Sequence, residues 1–344
     1  MLSHMHNKQL IDFRSDTLTK PSGAMRQVMA SAEVGDDVYG EDPSVNRLED
    51  KVAGLLGKEA AILCSSGTQS NLLGILSQCQ RGEEYIVGAP YHTYKYEAGG
   101  AAVLGGVVPQ TVPLNDDGGV DADAIRAVIK VDDPHFPISR LISLENTHLG
   151  RVVPQQHMLD ARKVADEFGL RLHLDGARLA NAAVASGESM ATLAAPFDTV
   201  SLCCSKGLGA PIGSLLAGPA DVIHRARRWR KMLGGGMRQA GILAAAIDYA
   251  LDHQFARLAE DHEHAARLAA ELKAPAGVRI GASATNMLYL YFDDPEQATR
   301  VCEMAKAEGI LLPNQAAMRL VTHLDIDSAM LDHAITVINR ALNG

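Results

Sequence analysis

Lys206 is the residue of this chain best placed for covalent chemistry. It ends the run SLCCSK at positions 201–206 and is followed by Gly207 and Gly209. Lysine is rare inside apolar segments unless another group pairs with it. Loss of water around a lysine amine favours its neutral form, which attacks carbonyl carbons. The sequence therefore predicts that Lys206 bonds covalently to a carbonyl compound.

A carboxylate stands at the end of another apolar run. Asp175 closes the run RLHLD at positions 171–175, and 31 residues separate it from Lys206. That spacing fits one strand–helix–strand step, which brings both strand ends to the edge where open α/β sheets bind ligands. On its own, an aspartate at a strand end is more often a cap for the following helix.

Two further segments follow predicted strands. The sequence SSGTQSN at 65–71 leads into a predicted helix, and a helix N-terminus with small residues can bind phosphate. It matches neither G-x-x-x-x-G-K-[ST] nor G-x-G-x-x-G, and such a turn is more often only a helix cap. His92 comes just after the strand predicted at Tyr85–Gly88 and offers a ring face.

Together these features predict pyridoxal 5'-phosphate as cofactor. Its phosphate needs N–H donors, its ring needs a flat side chain for stacking, its ring nitrogen needs a carboxylate, and its aldehyde needs an amine. The turn at 65–71, His92, Asp175 and Lys206 supply these groups in that order along the chain.

Apolar periodicity predicts the elements that position these residues. From about residue 44 to 255, short apolar runs alternate with amphipathic helices, which indicates an α/β domain with a mainly parallel sheet covered on both faces. The predicted strands are Ala60–Cys64, Tyr85–Gly88, Leu141–Leu144, Leu170–Asp175, Thr199–Cys204 and Ser214–Ala217. The predicted helices are Val45–Leu56, Ala122–Ile129, Leu159–Phe168 and Ile242–Leu251.

The pattern changes after a long helix predicted near Phe255–Leu272. Strands at Val278–Ile280, Met287–Phe292 and Arg319–Val321, with helices at Pro295–Glu308 and Ser328–Leu342, indicate a small C-terminal α+β domain. The predicted organisation is an N-terminal arm over residues 1–25, a large domain over 26–255 and the small domain over 256–344.

Composition excludes several classes of protein. A net charge of −9 argues against binding to nucleic acid, which depends on clustered cations. No apolar run approaches the roughly 20 residues that a membrane-spanning helix needs, and no apolar stretch of a signal peptide occurs in the first ten residues, so a cytoplasmic location is expected. The five cysteines show no C-x-x-C spacing, so neither disulfides nor a zinc site are expected and no metal ligands are assigned, while a structural cation stays open.

The complete set of motifs resembles the low-specificity L-threonine aldolases, which have the aspartate-aminotransferase-like fold (fold type I) of pyridoxal-phosphate enzymes. The matching stretches are Asp12–Thr17, Gly35–Gly40, Ser66–Asn71, Leu144–His148, His173–Arg178, Ser205–Gly209, Gly234–Gln239 and Arg319–His323. They run from about residue 10 to residue 325, so the resemblance covers nearly the whole chain. It implies an aldehyde-lyase that cleaves L-threonine, L-allo-threonine and other L-β-hydroxy-α-amino acids to glycine and an aldehyde.

The resemblance also implies which residues hold the cofactor. Lys206 would bond to its aldehyde and be displaced by the substrate amine, and Asp175 would pair with its ring nitrogen. Arg178 would lie near its O3′ oxygen. Gly67 and Thr68 would hold the phosphate, and His92 would stack on the ring.

Substrate contacts are implied in the same way. Ser15 and Arg319 would bind the substrate carboxylate, together with Arg178, because a guanidinium fits a carboxylate closely. Without the resemblance, Arg319 would be interpreted as an ordinary strand-edge arginine. Tyr96 would shape the pocket for the β-substituent. The base that removes the β-hydroxyl proton would be His92 or His135, directly or through water.

Relatives of this type are homotetramers, built as pairs of dimers with shared active sites, and the resemblance implies the same assembly here. Tyr39, Lys231 and Arg238 would then complete a neighbouring subunit's substrate site or phosphate pocket. The other arginines of the basic segment, Arg225, Arg227 and Arg228, are interpreted as a solvated helix face.

Three alternatives stay open. A serine hydroxymethyltransferase or a β-eliminating lyase would share the fold, although the first needs a folate site and usually a longer chain. A non-catalytic protein of this fold would normally lack the lysine, which is present as Lys206. A nicotinamide-dependent dehydrogenase is disfavoured because the dinucleotide glycine pattern is missing.

Overall fold

The computed structural model describes residues 10–344. Its strands are β1 (Ile11–Asp12), β2 (Ala60–Cys64), β3 (Glu83–Gly88), β4 (Val108–Val112), β5 (Ile138–Glu145), β6 (Arg171–Gly176), β7 (Thr199–Cys203), β8 (Ser214–Gly218), β9 (Val278–Ile280), β10 (Met287–Phe292), β11 (Ile310–Leu311) and β12 (Ala317–Val321).

Helices connect most of these strands. They are α1 (Gly23–Ala30), α2 (Pro43–Leu56), α3 (Gly67–Leu76), α4 (His92–Lys95), α5 (Gly100–Gly105), α6 (Ala122–Val128), α7 (Gln155–Phe168), α8 (Leu179–Ser186), α9 (Met190–Ala194), α10 (Ala220–Met232), α11 (Gly241–His253), α12 (Leu258–Glu271), α13 (Pro295–Ala307) and α14 (Ser328–Asn343). Over the described residues, no helix has the length and apolar character needed to cross a membrane.

A seven-stranded sheet, ordered β2-β8-β7-β6-β5-β3-β4, forms the centre of the larger of two compact units, Pro21–Phe255. All neighbouring pairs are parallel except that β8 is antiparallel to both β2 and β7. Strands β3, β7 and β8 are buried along their whole length. This confirms the predicted α/β fold with a mainly parallel sheet.

One strand of this sheet was missed by the sequence analysis. Strand β4 lies at the edge of the sheet and pairs only with β3. Its sequence is VPQTV and it is only partly buried, so it carries no continuous apolar run. A proline is tolerated there because one side of an edge strand makes no ladder hydrogen bonds.

Helix α3 crosses the sheet in close contact with β6 and β7. A Cβ atom at Gly74 would lie 2.6 Å from Cε1 of His173, so only glycine lets the helix approach the strand this closely. The same face of α3 carries Asn71, one turn earlier. Strand β2 runs in the same direction as β7 and leads into α3. The first turn of α3 therefore lies at the edge of the sheet where β2 and β7 both end.

The second unit comprises the described residues up to Lys20 together with Ala256–Gly344. It contains an antiparallel sheet of order β12-β10-β9, the parallel pair β1–β11, and helices α12 to α14. Its core includes Phe13, Leu288 and Leu320, so the amino-terminal segment packs into this unit. Residues 1–9 of the predicted arm lie outside the described residues.

The basic helix face predicted around Arg225 and Arg227 is more engaged than expected. Arg227 pairs with Glu49, which is 5% exposed, and Arg225 donates from Nε to the carbonyl oxygen of Ser77 at 2.8 Å. Arg230 on the same helix is buried. The interpretation of this face as solvated agrees with the exposure of Arg225 and Arg228 but is wrong for Arg227, because periodicity places a residue on a helix face and does not show what packs against that face.

Candidate active site

The ends of the parallel strands bring several polar side chains to one edge of the large sheet. Glu145 at the end of β5 is in register with Asp175 at the end of β6. Lys206 lies in the turn after β7, where the N–H of Gly209 donates to its carbonyl oxygen at 2.8 Å. His92 begins α4, in the connection that follows β3. These residues come together because successive parallel strands share their carboxyl edge.

Asp175 is a buried carboxylate that is held by uncharged donors. The residue is 2% exposed. Its Oδ1 accepts from the N–H of Ala177 at 3.0 Å, and its Oδ2 accepts from Nδ2 of Asn71 at 2.9 Å. A buried carboxylate usually has a cationic partner, and a protonated ring nitrogen would be such a partner. This donor set fits the group that the sequence predicts at this position.

His92 is held at both its backbone and its ring. Its N–H donates to Oε2 of Glu145 at 2.8 Å, and its Nδ1 lies 2.9 Å from Oε1 of Glu97. The Glu97 hydrogen bond is the main reason that the pKa of His92 is raised, while burial opposes this. The His92 side chain is still 42% exposed, so part of the ring is open to a ligand.

Lys206 lies within electrostatic range of the same histidine. Asp175 raises the pKa of His92 and Lys206 lowers it, in addition to the larger effect of Glu97. Lys206 follows β7, whose residue Ser201 is in register with Asp175 on the neighbouring strand β6. The structure therefore brings the predicted amine, carboxylate and stacking histidine to one place in a single unit.

Asn71 connects the two acidic side chains of this site. Its Nδ2 donates to Oε1 of Glu97 at 2.8 Å and to Oδ2 of Asp175 at 2.9 Å, while its Oδ1 lies 3.2 Å from Nε2 of His173. His173 also contacts Oγ1 of Thr199 through Nδ1, at 2.9 Å. Burial lowers the pKa of His173 to about 4, so the ring is neutral near pH 7.

His92, Glu97 and Asp175 also have the composition of a metal site, since one potential ligand atom of each lies within 4.8 Å of the others. The amide nitrogen of Asn71 lies between the two carboxylates and donates to both. N–H groups that point at these two oxygens occupy the positions from which a metal ion would have to bind both of them. We therefore interpret the cluster as a hydrogen-bonded network.

The predicted phosphate residues open α3. Ser66 is its N-cap and accepts from the N–H of Gln69 at 3.2 Å; Gly67 and Thr68 form the first turn. Thr68 is exposed and Gly67 is partly exposed. Asn71 follows Gly67 by four residues, which is about 6 Å along a helix axis. The helix N-terminus thus lies about one turn from the residue that binds Asp175.

Tyr39, Lys231 and Arg238 are brought together elsewhere in the large unit. The carbonyl oxygen of Arg238 accepts from the N–H of Asp37 at 3.0 Å, two residues before Tyr39. A Cβ atom at Gly236 would lie 2.9 Å from Cδ of Lys231. Tyr39 is 76% exposed.

This surface, Tyr39–Lys231–Arg238, adjoins the start of α3. A Cβ atom at Gly235 would lie 2.3 Å from Nε2 of Gln69, which belongs to the first turns of that helix. The exposed aromatic ring and the two cations are therefore near the predicted phosphate residues of their own chain while facing solvent.

His135 is not brought to the carboxyl edge of the sheet. It precedes β5, whose other end carries Glu145, and the eight-residue strand spans roughly 23 Å. Its side chain is 85% exposed, and its Nδ1 lies 2.6 Å from Oδ1 of Asp133. Within one chain, His92 is the candidate base that lies beside Asp175.

Tyr96 and Arg178 lie close to the site in the chain. Tyr96 is 61% exposed, and its ring centre is 5.7 Å from that of His92. Arg178 is the N-cap residue of α8, three residues after Asp175. Both positions fit the predicted roles near the ring and the substrate.

Ser15 and Arg319 lie together in the smaller unit. Oγ of Ser15 caps a short 3₁₀ turn by accepting from the N–H of Thr17. Arg319 is on β12, and its guanidinium lies 3.5 Å from the carbonyl oxygen of Arg14. The N–H of Val321 donates to the carbonyl oxygen of Phe13, which holds the two segments side by side.

The sequence analysis missed Asn71, Glu97 and Glu145. Asn71 and Glu145 lie within the motifs Ser66–Asn71 and Leu144–His148, which do not by themselves indicate a role for either residue. Glu97 stands at the start of the apolar stretch AGGAAV, which is an unusual place for a carboxylate. That position was the available signal, although it does not show which residues Glu97 contacts.

Comparison with known proteins gives consistent results. The profile of the beta-eliminating lyase family matches residues 12–295. The low specificity L-threonine aldolase of Escherichia coli K12 is 51% identical over 94% of this chain and 96% of its own length. Low-specificity L-threonine aldolase 1 of Arabidopsis thaliana is 40% identical over 96% of each chain.

A solved structure agrees at the level of the fold. The threonine aldolase of Leishmania major superposes with a TM-score of 0.82, at 24% identity, over 96% of this chain and 99% of that one. At this identity the similarity concerns the fold alone.

Proposed function

We propose a function for this chain from the family to which it belongs, the beta-eliminating lyase family and, within it, the low-specificity L-threonine aldolases. It cleaves L-threonine, L-allo-threonine and other L-β-hydroxy-α-amino acids to glycine and an aldehyde. Its cofactor is pyridoxal 5'-phosphate. The observation that carries this proposal is the convergence of His92, Asp175 and Lys206 at one strand edge beside the first turn of α3.

The residues present fit pyridoxal phosphate. Lys206 would bond to its aldehyde, Asp175 to its ring nitrogen, and Gly67 and Thr68 to its phosphate through the N–H groups of α3. Bound in this way, the cofactor supplies a conjugated ring that accepts the electron pair of the breaking Cα–Cβ bond. Arg178 would contact its O3′ oxygen.

The chain's own residues would then bind the amino acid and move one proton. Ser15, Arg178 and Arg319 would hold the substrate carboxylate, which would fix the orientation of the Cα–Cβ bond that breaks. Because Nδ1 of His92 faces Glu97, Nε2 is the ring nitrogen that would take the β-hydroxyl proton. The aldehyde leaves with the Cβ carbon, and Cα gains a proton to give glycine.

His135 would act only on another chain's site, since within its own chain it lies at the opposite end of β5. We propose the same for Tyr39, Lys231 and Arg238, which form an exposed surface beside α3. These assignments require an oligomer, and we propose a homotetramer, a dimer of dimers with shared active sites. Tyr96 would contact the β-substituent.

The wider context follows from the same assignment. We propose that the protein acts in the cytoplasm on small amino acids, without a nucleic-acid or membrane partner. We also propose a domain organisation of an arm over 1–25, a large domain over 26–255 and a small domain over 256–344, in which the described part of the arm up to Lys20 packs with the small domain.

The test is to incubate the purified protein with pyridoxal phosphate and each threonine diastereomer while following acetaldehyde. We expect cleavage of both L-forms, none of the D-forms, and covalent attachment of the cofactor to Lys206 after borohydride reduction. The variant Lys206→Ala should lose attachment and cleavage together. Inertness toward both L-forms would refute the assignment, and attachment elsewhere would refute the role of Lys206.

A β-elimination reaction is the main alternative, since the family is named for it. Elimination of water from threonine yields ammonia and a 2-oxo acid, whereas cleavage yields glycine and acetaldehyde. Measuring all four products from one reaction separates the two functions. We expect glycine and acetaldehyde in equal amounts.

A further inference from the structure

We propose that Asn71 and Glu97 are positioning residues of this reaction, which together hold the imidazole of His92 and the carboxylate of Asp175 in one directed hydrogen-bond chain. The inference deepens the proposed function and rests on it. It assigns roles to a helix residue and a turn residue for which the motifs alone gave none.

The hydrogen bond between Asn71 and His173 shows how the amide group of Asn71 is oriented. Neutral His173 carries one ring proton, and its two nitrogens face Thr199 and Asn71. Oδ1 of Asn71 is an acceptor only, so the nitrogen of His173 that faces it must be the protonated one. Nδ1 then accepts from the hydroxyl of Thr199, which itself accepts from Nε2 of Gln78 at 2.8 Å. The ring proton then lies on Nε2 and is donated to Oδ1 of Asn71.

Both N–H bonds of Asn71 must consequently point at carboxylates. One is donated to Glu97 and the other to Asp175. Asn71 and Glu97 are 2% and 7% exposed, so water does not replace these bonds easily. An aspartate or a leucine at position 71 would lack the two donors, although both are close to asparagine in size.

Glu97 transmits this order to His92. Its Oε1 accepts from Nδ2 of Asn71 and also faces Nδ1 of His92, so the imidazole proton is placed on the Glu97 side. Nε2 is thereby directed away from the network. Burial raises the pKa of Glu97, and the hydrogen bonds from His92 and Asn71 oppose that effect.

The groups that act on His92 come from four elements. Glu97 follows α4, Asp175 ends β6 and Lys206 follows β7, while Glu145 at the end of β5 binds the His92 N–H. The net effect raises the pKa of His92, with the Glu97 hydrogen bond as the largest cause. Removing the Glu97 charge alone should therefore lower the pKa.

The first experiment measures His92 without relying on activity. Cofactor-free protein carrying 13C-labelled histidine is titrated by NMR, with His92→Asn to assign the resonance. We expect Glu97→Gln to lower the His92 pKa by about one unit, which is the low end of the effect of one opposite charge because His92 is partly exposed. Glu97→Asp, which keeps the charge, should restore part of the shift.

The second experiment follows threonine cleavage by the holoenzyme against pH. If neutral His92 takes the substrate proton, its lower pKa in Glu97→Gln moves the acid limb of kcat/KM about one pH unit downward. Asn71→Asp should weaken pyridoxal phosphate binding by at least about tenfold, because Asp175 then faces another carboxylate.

A matched control is Glu84→Gln. Glu84 is 1% exposed and also accepts a hydrogen bond, from Oγ of Ser139 at 2.6 Å, but it lies at the amino end of β3, away from the site. We expect this variant to leave both the His92 titration and the acid limb unmoved, so that loss of a buried charge as such is excluded as the cause.

The outcomes separate this inference from the proposed function. An unchanged His92 titration in Glu97→Gln would overturn the inference even if threonine is cleaved. A uniform loss of kcat/KM without movement of the acid limb would also overturn it. Glu97→Gln could lower the His92 pKa as expected in a protein that cleaves neither L-threonine nor L-allo-threonine. That result would refute the proposed function and the catalytic part of the inference, but not the coupling between Glu97 and His92.

Discussion

Arg230 joins three parts of the large unit, and we expect its removal to be costly. Its Nη2 lies 2.6 Å from Oδ2 of Asp37, and the two side chains are 4% and 1% exposed. Its Nη1 donates to the carbonyl oxygen of Leu63 at 2.7 Å, at the end of β2 just before the predicted phosphate turn. The variant Arg230→Met keeps much of the volume but leaves Asp37 buried without its cation.

The expected magnitude follows from that uncompensated charge. Breaking a buried pair by removing one partner costs about 3–5 kcal/mol. A unit of this size loses about 2–4 °C of Tm for each kcal/mol, so Arg230→Met should melt about 10 °C lower. The double variant Asp37→Asn, Arg230→Met should recover part of this loss, because no buried charge then lacks a partner.

Thermal unfolding followed by circular dichroism, at one protein concentration and with cofactor removed, measures the difference. The matched control is Arg228→Met on the same helix, since Arg228 is exposed and an exposed substitution changes stability by about 0.5 kcal/mol or less. The reasoning is refuted if Arg230→Met costs no more than Arg228→Met, or if the double variant is less stable than Arg230→Met.

Three further outcomes are expected. Gly74→Ala should lower the free energy of unfolding in urea by about 1–3 kcal/mol, because its Cβ would lie 2.6 Å from His173. The control Gly54→Ala, whose Cβ would have no atom within 4 Å, should be neutral or stabilising. Equal effects of the two variants would contradict the close packing of α3. The depressed pKa of His173, about 4 against 6.5 when unfolded, means that the unfolded chain binds more protons between these values. Stability should therefore decrease as pH falls from about 6.5 to about 4, by up to roughly 3 kcal/mol, and a His173→Gln variant that keeps the full slope would exclude this cause. Asp175→Asn should reduce kcat at least about tenfold, since a neutral amide no longer favours a protonated ring nitrogen; wild-type kcat with L-threonine would remove Asp175 from the mechanism.

Much of the fold was predictable because its signals are local. The strands Ala60–Cys64, Val278–Ile280 and Met287–Phe292 were predicted with the bounds that the structure shows, since each is a compact run of apolar residues. Strand β4 was missed because its sequence, with proline and glutamine, has no such run and gains its conformation from pairing with β3.

The sequence by itself determined the fold class, the family resemblance and the order along the chain of the residues that we propose for cofactor binding, including Lys206 and Asp175. Only the tertiary structure decided that Asn71 binds both Asp175 and Glu97, that Arg230 is buried with Asp37, and that His135 lies at the far end of β5. Asn71 and Asp175 are 104 positions apart in the sequence. They come into contact because Gly74, which has no Cβ, lets helix α3 pack directly onto β6. Periodicity reports which face of an element is apolar, whereas the partner across that face depends on how whole elements pack.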